Sequence, residues 1–151
     1  MRFYSILFFS IIMAASVCSK PLPVPVYSQN IDVEALYNEK LNGIKKSGKH
    51  ILLVFGADWC GDCKALDAFL KKDDVRDIWQ PGFEIVKVDV GQYDHNLEFA
   101  AKFGSPYKGG IPALAVVDKD EKTLNVTLAG EFASTSRESP ERLKKYLQKF
   151  R

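Results

Sequence analysis

The sequence predicts an α/β domain: a central mixed β-sheet flanked by helices. Three observations lead there. Ile51 to Phe55 (ILLVF) is an unbroken apolar run bounded by turn residues, the pattern of a strand buried on both faces. Helix and strand patterns alternate through most of the chain, which places helices on both sides of a sheet. Two further strand patterns then meet across a turn, adding an antiparallel hairpin.

The elements follow in order. Lys20 to Asn30 sets Pro21, Pro23 and Pro25 against Leu22, Val24 and Val26. Proline at every second position prevents helix and weakens a central strand, so an extended leader or an edge strand is expected. Asp32 can cap a helix from Val33 to about Lys46, with Val33, Leu36, Tyr37, Leu41 and Ile44 on one face and Ser47-Gly48 as its end. After the Ile51–Phe55 strand, Gly56 to Trp59 turns into a helix of about Cys60 to Lys71, with Cys63, Leu66, Phe69 and Leu70 facing inward. A short helix around Val75 to Trp79 ends at Pro81-Gly82. Phe83 to Val90 reads as a strand, Asp94 to Phe103 as a helix stopped by Gly104, and Ser105 to Gly110 as a loop. Ala113 to Val117 and Thr123 to Ala129 form the hairpin around Asp118–Glu121. Ser139 can cap a final helix with Pro140 at its first position and a stripe of Leu143, Tyr146, Leu147 and Phe150.

The chain has 151 residues, room for one domain of ordinary size. Lys and Arg number 21 and Asp and Glu 19, a net charge of +2 that lacks the basic excess of a nucleic-acid-binding surface. Met1 to Lys20 carries Arg2, an apolar run from about Phe3 to Ala15, and then small residues. This is the layout of a secretory signal, and the run is short for a membrane span of roughly 20 residues. The expected organisation is a signal over 1–19, an extended leader over 20–31 and the domain over 32–151. Cleavage fits after Ser16 or after Ser19. Ala15-Ser16-Val17-Cys18 also resembles a bacterial lipobox, which gives a lipid anchor on Cys18 as an alternative. An exported protein meets oxidising conditions, periplasmic ones in a Gram-negative source.

If Cys18 leaves with the signal, Cys60 and Cys63 are the only cysteines of the mature chain. Two cysteines spaced by two residues can close a small disulfide when the first sits at a helix N-terminus. Unpaired N–H groups and the helix dipole there favour the thiolate, the reactive form. Cys60 is therefore the candidate nucleophile and Cys63 the inward-facing thiol that resolves a mixed disulfide. Half of a zinc site is a second reading, but His50 and His95 are not in a paired spacing and no second CxxC follows. A merely structural bond is a third, and its short loop would add little stability. No metal or other cofactor is expected.

The segment Phe55-Gly56-Ala57-Asp58-Trp59-Cys60-Gly61-Asp62-Cys63-Lys64 resembles the active-site segment of the thioredoxin family. Ile111-Pro112 resembles that family's cis-proline motif, and Gly130 the glycine after its last strand. The similarity spans roughly Val33 to Phe150, and Ala57 to Cys60 also resembles the exported reductase modules of thiol:disulfide interchange proteins. The resemblance implies a thioredoxin-like fold and a cis Ile111–Pro112 bond beside a Cys60–Cys63 disulfide. It also implies a partly exposed Trp59 over that bond, and a free Ile111 backbone that pairs with an extended substrate.

The chain departs from the thioredoxin pattern in places. Val54 stands where thioredoxins bury an Asp that moves a proton for the second cysteine. Asp67, one helical turn after Cys63, is a candidate substitute. Asp62 between the cysteines opposes thiolate formation and favours a reducing pair, while Lys64 either stabilises the Cys60 thiolate or is solvated. Tyr107 and Lys108 sit in a loop longer than thioredoxin's and are its expected contact residues.

The leading reading is an exported thiol–disulfide oxidoreductase that reduces protein disulfides. Its expected partners are disulfide-bearing proteins and a recycling redox protein in or at the membrane, and it is expected to be a monomer. The alternative is a binding module on the same fold, a chaperone or a soft-metal carrier without redox turnover.

Overall fold

The structure, a computed structural model, describes residues 25–151. The signal segment, its cleavage sites and Cys18 lie outside the described residues.

β1 (His50–Gly56) occupies the interior of the sheet because every residue from Ile51 to Phe55 is apolar; none is more than 1% exposed. It pairs in parallel with β2 (Phe83–Asp89) and antiparallel with β3 (Ala113–Val117), which pairs antiparallel with β4 (Thr123–Val126). The order β2-β1-β3-β4 is the mixed sheet expected from the alternation and the hairpin. α1 (Val33–Ser47) starts at Asp32, whose carboxylate accepts the Ala35 N–H at 3.0 Å, and ends at Gly48 in the left-handed region. Tyr37 of α1 stacks edge-on with Phe99 and Phe103, and Phe103 reaches Phe55, so β1's odd-numbered side chains meet this layer. α2 (Gly61–Leu70), α3 (Asp73–Trp79) and α5 (Glu141–Gln148) belong to the other layer.

Four local expectations need correction. α4 is only Leu97–Ala101, not Asp94 to Phe103. Gly91, Tyr93 and Asn96 all have positive φ, and the Asp94 carboxylate accepts from the Gln92 N–H, so residues 91–96 close a turn instead. β4 ends at Val126, not Ala129. The Thr127 hydroxyl accepts the Leu114 N–H at 2.7 Å, and a side chain thereby takes a bond that continued pairing would have used. Ser139 makes no cap; Pro140 is the N-cap residue of α5 and no side chain bonds there. Short 3₁₀ turns at Pro106–Gly109 and Thr135–Arg137 were not expected.

The described part of the leader forms bends and a turn, not an edge strand. It is held by the domain. The Asp58 carboxylate accepts the N–H groups of Val26 at 2.7 Å and Tyr27 at 3.0 Å, and the Tyr27 side chain is 2% exposed.

Candidate active site

Because β1 runs straight into α2 through Ala57–Trp59, the first cysteine falls at the helix start. Cys60 is the N-cap residue of α2, with extended backbone, and its Sγ accepts the Cys63 N–H at 3.0 Å. A capping sulfur in that place is stabilised as an anion by the donor it faces and by the helix dipole. Cys60 and Cys63 are disulfide-bonded, with Cα atoms 5.2 Å apart. Cys60 is 6% exposed, whereas Cys63 is fully buried, so only the first sulfur stands near solvent.

The Ile111–Pro112 bond is cis. Ile111 lies outside the strand ladder, which begins at Ala113, and its carbonyl oxygen is 3.6 Å from Cys60 Sγ. The loop before it is shaped by close backbone approach. A Cβ on Gly109 would strike the Leu128 carbonyl, and Gly130, at φ +69°, passes against the Gly109 carbonyl.

Trp59 is half exposed, and its indole N–H donates to the Gly91 carbonyl at 2.7 Å. Tyr93, also exposed, stacks edge-on against it at 5.8 Å, and half-buried Tyr107 follows at 6.2 Å, forming an aromatic row. Tyr93 escaped the sequence reading because it lies between the expected strand and the helix expected from Asp94, in a segment assigned to no element. Lys108 is exposed beside Tyr107.

The charged candidates separate. The Asp62 carboxylate accepts the Ser136 N–H at 2.7 Å, and hydrogen bonding from Ser136 holds it below the usual carboxylate range. It is therefore an anion between the two cysteines. Lys64 is exposed and makes no ion pair among the described residues. Asp67 is not the exposed helix residue its position allowed. It is 6% exposed, bonded to Lys87 of β2 and paired with Lys71 at 2.6 Å. Burial pushes its carboxyl up, but the two lysines outweigh that and leave it below the usual range.

This pair has a pH signature. The folded-state carboxyl titrates below its ordinary value of 3.8, so its contribution is complete above that pH and is lost as pH falls through the depressed folded value. Asp67→Asn is expected to cost about 1–3 kcal/mol at pH 7. The gap to the wild type should narrow as acid unfolding conditions approach pH 3. Urea unfolding at pH 7 and pH 3 checks this; an equal loss at both would contradict it.

A disulfide at the start of a helix, facing a cis-proline, defines a thiol–disulfide exchange centre. Comparison with known proteins agrees. The profile of the thioredoxin-like family matches residues 32–119. A crystal structure of a disulphide isomerase from Xylella fastidiosa Temecula1 is 37% identical, with a TM-score of 0.80 over 82% of this chain and 95% of that one. A DsbH oxidoreductase structure is 26% identical, with a TM-score of 0.54 over 76% of this chain and 83% of that one. A protein disulfide-isomerase of Hordeum vulgare is 29% identical over 136 residues, 82% of this chain and 26% of that protein. The chain thus spans about a quarter of that plant relative's length. This chain belongs to the thioredoxin-like family, and its Cys60–Cys63 pair makes it a thiol–disulfide oxidoreductase of that family.

Proposed function

We propose that the protein is an exported reductase of protein disulfides. The observation that carries this reading is Cys60 itself: a near-surface sulfur capping α2, bonded to a buried partner sulfur and lying 3.6 Å from the Ile111 carbonyl before cis-Pro112. In the reduced protein the Cys60 thiolate attacks a substrate disulfide and expels one substrate thiolate. Cys63 then attacks Cys60 Sγ, the mixed disulfide breaks, and the substrate leaves as a dithiol. Ile111 supplies backbone for an extended substrate segment, and Trp59 flanks it.

Asp62 supports the reducing direction. An ionised carboxylate between the cysteines raises the cost of the thiolate and so stabilises the disulfide relative to the dithiol. Lys64, exposed one turn into α2, does not cancel that charge by pairing with it. Export rests on the Met1 to Lys20 pattern, with Cys18 as the lipid-anchor alternative. Outside the cytosol a reductase needs a dithiol donor to recycle Cys60–Cys63, and a membrane-borne one fits. The reduction potential of the pair tests the reading. A value at the reducing end of the family's range supports it, and an oxidising value overturns the direction.

A further inference from the structure

The resolving step needs a proton acceptor. Cys63 is fully buried, and burial holds a thiol in its protonated form. The helix-capping position, which helps Cys60, is not available to Cys63. Val54 offers no titratable group on the strand behind it.

Asp67 of α2 is neutralised by Lys87 and Lys71. Asp58, from the β1–α2 turn, has its Oδ1 occupied by two leader N–H groups. Asp62 has its Oδ1 taken by the Ser136 N–H. Tyr27 brings its hydroxyl beside Cys63, but burial and the charges of Asp67, Asp58 and Asp89 push its ionisation far up, so it can pass a proton and not keep one. Asp89 remains. It is 4% exposed; its Oδ1 accepts the Gly91 N–H at 3.2 Å, and its Oδ2 is buried without a hydrogen-bond partner among the described residues.

Its position follows from register. Asp89 is paired with Gly56 across the parallel β1–β2 ladder, so its side chain leaves the same face as Gly56's missing one. On that face a Gly56 Cβ would collide with the Tyr27 hydroxyl and approach Cys63 Sγ to 3.0 Å. Adjacent strands are about 4.8 Å apart. Asp89 therefore stands about one strand spacing from Gly56, on the sheet face where the Tyr27 hydroxyl and Cys63 Sγ meet the Gly56 hollow. On its other side it lines a cleft of about 310 Å³ with Asp58, Trp59, Gly91 and His95, which gives a proton an exit.

Building on the oxidoreductase reading, we infer that Asp89 is the proton acceptor for Cys63 when the mixed disulfide is resolved. The Cys63 thiol gives its proton to Asp89 Oδ2, through the Tyr27 hydroxyl or one water. The Cys63 sulfur then bonds to Cys60 Sγ while the Cys60–substrate bond breaks. The substrate sulfur leaves with the electron pair and takes up a proton from Asp89 or from solvent. In the reverse direction Asp89 returns the proton to Cys63.

The test is single-turnover exchange with a model protein disulfide, reading mixed-disulfide formation and resolution separately from pH 6 to pH 10. Asp89→Asn keeps an acceptor for the Gly91 N–H. It should form the mixed disulfide within about twofold of wild type and resolve it about 10–100-fold more slowly at pH 7. The deficit should shrink toward pH 10, where hydroxide replaces the carboxylate. Asp67→Asn should resolve at the wild-type rate. Unchanged resolution in Asp89→Asn, or an equal loss in both steps, overturns the inference. A wild-type protein that forms no mixed disulfide would overturn the oxidoreductase reading along with it. A second measurement needs no variant: the ¹³C carboxyl resonance of Asp89 should titrate differently in the reduced and oxidised proteins. Identical titrations would overturn the inference.

Discussion

Cys60→Ser should bring disulfide exchange down to the uncatalysed background. No other sulfur in the described protein reaches the surface: Cys63 is fully buried and its route outward passes through Cys60. A serine hydroxyl at the N-cap keeps the bond to the Cys63 N–H, so helix α2 stays capped. Losing the disulfide removes a cross-link over a four-residue loop, worth about 2 kcal/mol at most in the loop-closure picture. Activity and stability should therefore separate cleanly. Cys63→Ser should behave differently, completing the first attack and stopping as a covalent adduct that dithiothreitol releases. Insulin reduction with dithiothreitol as electron donor reads Cys60→Ser, and non-reducing electrophoresis of the reduced protein mixed with insulin, without dithiothreitol, reads the Cys63→Ser adduct. Substantial turnover by Cys60→Ser would show that Cys60 is not the nucleophile.

Tyr27→Ala should have the largest effect on stability. The ring is 2% exposed and reaches the hollow left by Gly56 behind Cys63, so truncation opens a cavity that the rigid strand β1 cannot close. Removing a buried aromatic ring costs about 3–5 kcal/mol. In a domain of this size that lowers Tm by roughly 10–20 °C. Tyr27→Phe keeps the packing and should fall within about 1.5 kcal/mol of wild type. Thermal unfolding of the two variants decides it. A Tyr27→Ala protein melting within 2 °C of wild type would mean that the leader only rests on the domain.

The contrast between these two residues shows what the sequence made legible. The cysteine pair could be read because its chemistry is local: a strand, a turn and a helix N-terminus, all within Ile51 to Lys71. The sheet could be read for the same reason, since ILLVF admits little but a doubly buried strand. Tyr27 could not be read. It lies in a proline-rich leader with no amphipathic period, and what buries it is a carboxylate 31 residues away. Asp89 was hidden similarly. At the end of a strand it resembles any turn-initiating Asp, and only the Gly56–Asp89 register places it on the Cys63 side. The ion pair that holds Asp67 was not legible either, because Lys87 comes from a different element, strand β2. The turn at 91–96 failed for a local reason: three positive φ angles override a helical pattern that began with Asp94.

The central claim is that Cys60 and Cys63 form a reducing dithiol. Its most direct test is the equilibrium of the mature protein with thiol–disulfide buffers, with free Cys60 and Cys63 trapped by alkylation. With an ionised Asp62 between the cysteines, the pair is expected to have a potential near that of thioredoxin, about −270 mV. A potential near about −120 mV, the value of a strong thiol oxidase, would contradict it and assign the protein to disulfide formation instead.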